Sequence, residues 1–130
     1  MEYLYRLILL VTGLVHLLPF SLAFFTNRIP NSYGVSISDP NMQLLLRHRA
    51  FLFGIIGFGL IFSAIKKKYY LAASVVGLVS MVSFICLYYW IGDINAQLQS
   101  VMWVDKLVGA ALLLITVLYY RRSKNAKSNQ

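Results

Sequence analysis

Four long apolar stretches, at about 4–25, 44–65, 70–91 and 102–120, alternate with shorter polar segments along the chain. A bilayer core about 30 Å thick takes about 20 mostly apolar helical residues, so each stretch predicts a membrane-spanning helix. No formal charge lies between Arg6 and Arg28, nor between Lys68 and Asp93. The second and fourth stretches carry charge only at their starts, at Arg47, His48 and Arg49 and at Asp105 and Lys106. Short connections predict an all-α, integral membrane, antiparallel four-helix bundle over 1–122. Residues 123–130 form a polar cytoplasmic tail, expected to fray. Asp39-Pro40 marks a helix start, an Asp N-cap before a proline in the first turn. Thr26 to Gln43, with Pro30, Asn31, Ser32 and Gly34, is expected to be a turn-rich loop. Ser21-Leu22-Ala23 has the form of a signal-peptidase site, but Glu2 offsets Arg6 in the leading region, so the first stretch is expected to remain a mature helix. There is no internal repeat and no low-complexity tract.

Composition fits the pattern. The chain is 59% apolar and only 12% charged, where soluble domains are closer to a quarter charged. That excludes a water-soluble globular domain, a disordered regulator and a nucleic-acid-binding module. The net charge of +8 is concentrated at the ends of the apolar runs. Lys66, Lys67 and Lys68 lie between spans two and three, and Arg121, Arg122, Lys124 and Lys127 follow span four. Only Arg28, Asp39 and Asp93 are charged within the connections on the other side. The positive-inside rule places both termini in the cytoplasm. Tyr3, Tyr5, Tyr69, Tyr70, Tyr119 and Tyr120 are expected in the inner aromatic belt, and Phe24, Phe25, Tyr88, Tyr89, Trp90 and Trp103 in the outer one. The single cysteine, Cys86, sits in an apolar run and rules out a disulfide framework or a Cys-based zinc site.

Depth follows from 1.5 Å of rise per helical residue. Asp105 lies about 24 Å from the inner edge, Arg49 about 25 Å and His48 about 27 Å, while His16 sits near the midplane at about 15 Å. Pro19 opens the backbone ladder just above His16. On the second span Arg47 shares a stripe with Ala50, Phe51, Gly54 and Phe58, and His48 shares one with Leu52, Ile55 and Gly59. Small residues let helices approach closely in lipid, so the Arg47/His48 side is expected to face the bundle. Asp105, one turn above Gly109, is expected to meet Arg47. That pair reads either as a structural pin between helices or as part of a ligand site. Arg49, in line with Phe53, Ile56 and Leu60, is expected to snorkel to the interface, as is Lys106. His16 has Ser80 and Ser83 on the third span as expected hydrogen-bond partners.

The segments Gly13-Leu14-Val15-His16-Leu17-Leu18-Pro19, Tyr33-Gly34-Val35, Asp39-Pro40-Asn41, Leu45-Leu46-Arg47-His48-Arg49-Ala50 and Phe53-Gly54 together resemble a group of small bacterial four-helix inner-membrane proteins of unknown function. The resemblance extends over nearly the whole chain, through Val79-Ser80-Met81-Val82-Ser83-Phe84 and Asp105. It implies a bacterial cytoplasmic membrane. Members often carry the label phosphopantetheine adenylyltransferase, which the residues do not support. Adenylyl transfer needs a nucleotide site with phosphate-gripping backbone. Here His16 and His48 stand on separate helices, with no glycine-rich strand-to-helix turn.

Three function classes remain. The first is a polar pocket in the outer leaflet that binds an amphipathic lipid, quinone or isoprenoid, with His16, Arg47, His48, Asp105, Ser80 and Ser83 as candidate ligand-binding residues. Catalysis, with His48 or Asp105 as acid–base, would be an extension of it. The second is an accessory or structural subunit packed against another membrane protein or a second copy of itself. The third is a small transporter or haem-linked redox protein. A small multidrug transporter needs an acidic residue deep in its first helix, where this chain has His16. Two histidine ligands to one haem should share a depth, and His16 and His48 differ by about 12 Å. The sequence identifies no cofactor and no metal site.

Overall fold

Asp39 caps the second long helix as its sequence predicts. One carboxylate oxygen accepts from both the backbone and the side-chain nitrogen of Asn41, each at 3.0 Å, and Pro40 takes the first helical position. The computed structural model describes residues 1–36 and 38–128. Over these residues the chain is all-α: α1 Glu2–Phe20, α2 Ile29–Tyr33, α3 Pro40–Lys66, α4 Tyr70–Ile91 and α5 Ala96–Ser128. The four long helices are each long and apolar enough to cross a bilayer, and the chain is a multi-pass membrane protein. They pack antiparallel in the ring order α1, α3, α4, α5, which closes through contact of α5 with α1.

α3 starts at Pro40, as Asp39-Pro40 predicts, four residues ahead of the apolar run that opens near 44. Two boundaries of α5 differ from the sequence reading. α5 begins at Ala96 because Asn95 Oδ1 accepts from the Leu98 backbone N–H at 2.9 Å, capping the helix ahead of its apolar stretch. At its other end α5 runs to Ser128, so most of the expected frayed tail is helix, and residues 129–130 of that tail lie outside the described residues.

The expected turn-rich loop holds a helix. α1 passes through Pro19 into a 3-10 turn at Ser21–Ala23. After a second turn at Thr26–Arg28, α2 forms one short helix that ends on Gly34, whose φ of 64° suits glycine. Ile29 and Tyr33, four apart, bury one face of α2 with Leu22 against Leu46, Leu98 and Val101. Asn95 Nδ2 donates to the Tyr33 carbonyl at 2.7 Å, so the side chain that caps α5 also holds α2 across the bundle end.

The closest helix pair is α1 with α3. A Cβ placed at Gly13 would lie 2.9 Å from the Gly57 carbonyl, one at Gly57 would lie 2.8 Å from the Gly13 carbonyl, and one at Gly54 would overlap the Phe20 ring. Gly59, expected in the same seam, faces open space. At the basic end, Tyr5 is fully buried and its hydroxyl bonds Ser74 Oγ at 2.8 Å. The Tyr5 ring lies 5.0 Å from both Tyr70 and Tyr119. Tyr5 and Tyr70 are therefore core residues, not members of an interfacial belt.

Candidate functional site

Between the main core and the α2 cluster lies a cavity of about 410 Å³. α1 contributes His16, α3 Arg49, and α5 Asp105, Gln97 and Ser100. Most of the remaining wall is apolar, including Val15, Leu18, Phe53, Phe84, Val101 and Val104. Ligand sites commonly combine this kind of volume with a few convergent polar groups in an apolar wall.

His16 is 3% exposed. Its Nδ1 lies 2.9 Å from the Thr12 carbonyl and its Nε2 3.3 Å from Ser80 Oγ. A carbonyl only accepts, so in the neutral ring Nδ1 carries the hydrogen and Nε2 accepts from the Ser80 hydroxyl. The Phe53 ring packs beside the imidazole, 5.8 Å between centroids. Ser80 thus stands behind His16, while Ser83 is exposed and donates to the Ser80 carbonyl at 2.8 Å.

Arg49 turns into the bundle, contrary to the snorkelling orientation expected for it. Its guanidinium carbon lies 5.0 Å from the Tyr33 ring centre and 5.9 Å from that of Phe53. These rings fix the planar group by cation–π attraction, and nothing among the described residues accepts a hydrogen bond from it. Asp105 lines the same cavity without a hydrogen bond to its carboxylate, and it forms no ion pair within 4.0 Å among the described residues. A cation and an anion therefore share one space while neither satisfies the other.

Arg47 and His48 lie outside this cavity. Both are exposed and border a shallow surface recess with Gln43, Leu44 and Phe51. Arg47 Nε donates to the Ala23 carbonyl at 2.9 Å, so it caps the turn after α1 instead of pairing with Asp105. Its stripe does face α1, but at the level of Arg47 α1 has already ended, and the side chain reaches the rim. His48 lies with Leu52, Ile55 and Gly59, all exposed on the lipid side. Lys106 donates to the Tyr89 hydroxyl and lies over the Tyr89 and Trp103 rings at 4.9 and 4.7 Å.

The sequence reading missed Arg49, Gln97 and Ser100. The available signal for Arg49 was its alignment with Phe53, Ile56 and Leu60, large residues that turn out half-buried or buried. Small residues marked where two helices touch, and the cavity lies beside that seam, where large side chains form walls. Among the described residues no three His, Cys, Asp or Glu side chains converge as a metal site would require. Comparison with protein-family models, with curated proteins and with solved structures gives no match to this chain.

Proposed function

We propose that the chain is a bacterial cytoplasmic-membrane protein that binds an amphipath, of the lipid, quinone or isoprenoid kind, in the cavity bounded by His16, Arg49 and Asp105. The orientation rests on Lys66–Lys68 and Arg121, Arg122 and Lys124, all exposed at one end, which the positive-inside rule assigns to the cytoplasm. The cavity then opens in the outer leaflet. The bacterial setting rests on the resemblance of segments such as Leu45–Ala50.

One observation carries the binding reading. Polar residues from α1, α2, α3 and α5 meet a mostly apolar space, and two of them, Arg49 and Asp105, have hydrogen-bonding capacity that the described protein does not use. Ionisable groups within a membrane are costly and mark functional positions by default. The wall also continues onto the outside of the bundle, since Leu18 and Val104 line the cavity and are 70% and 42% exposed. A ligand dissolved in the bilayer can enter sideways between α1 and α5. The reading is one of binding, with no reaction assigned.

Native mass spectrometry of protein released gently from membranes tests it. A stoichiometric adduct is expected in wild type and in Arg47→Ala, and its loss in Arg49→Gln. A bare wild-type mass, or an adduct that survives Arg49→Gln unchanged, overturns the reading. A partner chain carried through in place of a small molecule would favour the accessory-subunit alternative.

A further inference from the structure

We infer that the head group held by this cavity is zwitterionic and amine-bearing, that of an aminophospholipid, with its phosphate on Arg49 and its primary ammonium on Asp105. The inference rests on the reading that the cavity binds an amphipath, and it selects among the classes which that reading leaves open. Arg49 and Asp105 line one cavity, yet no ion pair within 4.0 Å joins them. Separated charges away from water are costly unless each finds a partner. A single ligand that answers both must carry one negative and one positive group on the same head.

The alternatives leave one charge unanswered. A purely anionic head pairs with Arg49 but sets a second negative charge beside Asp105. A quinone offers only acceptor oxygens, which face the carboxylate lone pairs with nothing to donate. An isoprenoid alcohol supplies a single neutral donor. A phosphate with a nearby ammonium supplies anionic oxygens for the planar guanidinium and N–H donors for the carboxylate. The N–H donors also separate primary amines from quaternary ones. A quaternary ammonium is held by aromatic faces, and here the rings of Tyr33 and Phe53 are already engaged by Arg49.

The shape agrees with a lipid source rather than a soluble zwitterion. About 410 Å³ accommodates a head group, and the side opening at Leu18 and Val104 lets the acyl chains stay in the bilayer. Gln97 and Ser100 lie on the same wall, on the outer side of Asp105.

The test titrates the delipidated full-length protein with phosphatidylethanolamine, its mono-, di- and trimethylated forms, phosphatidylglycerol and free O-phosphoethanolamine, read by native mass spectrometry. Phosphatidylethanolamine should be retained about tenfold more strongly than phosphatidylglycerol or the trimethylated lipid, the scale of one charge-assisted hydrogen bond. Retention should fall stepwise as N–H donors are lost. Asp105→Asn should bring phosphatidylethanolamine and phosphatidylglycerol to within about twofold. The methylation series uses wild-type protein alone, so poor folding of Asp105→Asn does not remove the test. Flat retention across that series, or a preference for phosphatidylglycerol or a quinone that Arg49→Gln abolishes, overturns the zwitterion inference and leaves the amphipath reading standing. Equal retention of free phosphoethanolamine overturns the lipid source. No retention that depends on Arg49 overturns both.

Discussion

About 3 Å of rise and about 200° of rotation separate Arg47 from Arg49 on one helix, and that rotation decides their roles. Arg47 reaches over the end of α1 to the Ala23 carbonyl, and Arg49 turns inward onto Tyr33 and Phe53. A double-mutant cycle separates this arrangement from an Arg47–Asp105 pair. Arg47→Ala and Asp105→Asn should destabilise additively, within about 0.5 kcal/mol, as groups without a shared contact do. Coupling well above that in thermal melts would restore the pair. Arg49→Lys keeps the charge and gives up the planar stacking, so it should cost about 0.5–2 kcal/mol and weaken adduct retention. Undiminished stability and retention would show that the rings do not hold the guanidinium. For Asp105 and His16, residue type and depth sufficed to single them out. For Arg47, His48 and Arg49, adjacent in sequence, the small-residue stripe pointed to Arg47, and the large-residue stripe that carries Arg49 marks the cavity only once the end of α1 is known.

At the scale of elements, the α1–α3 seam is set by backbone approach. Gly57→Ala should destabilise by about 1–3 kcal/mol, the range for overpacking a tight contact, because its Cβ would meet the Gly13 carbonyl at 2.8 Å. Gly59→Ala, two residues on and facing open space, should be neutral or gain up to about 1 kcal/mol from helix propensity. Equal effects of the two in detergent melts would contradict the seam. The four spans were legible because apolar length is a strong signal, and the Asp39 cap because a carboxylate before proline acts locally. α2 was not, since five residues with Pro30 and Asn31 read as turns. Its helix depends on Ile29 and Tyr33 finding Leu46, Leu98 and Val101, contacts distant in sequence. The small-residue rule located Gly54 and Gly57 correctly and misplaced Gly59, since composition alone does not say which glycines another helix covers.

The whole molecule has unlike ends. At the basic end Tyr5, Tyr70 and Tyr119 close the core, with Arg6 Nε donating to the Ala64 carbonyl at 2.8 Å. At the opposite end α2 roofs a space that the four long helices do not fill. Closed packing at one end and a half-polar cavity at the other give the protein a direction, so orientation decides which leaflet the cavity opens to. In a Cys86→Ala background, a cysteine at Asn31 should react with a membrane-impermeant maleimide on intact spheroplasts. Cysteines at Lys68 and Ser123, both exposed positions at the basic end, should react only after permeabilisation. The reverse pattern would turn the cavity to the cytoplasmic leaflet. The pairing of Arg49 and Asp105 with a zwitterionic head would still be chemically sound there, but the lipid would be drawn from the other monolayer. Accessibility at these three positions therefore tests the direction of binding independently of what is bound.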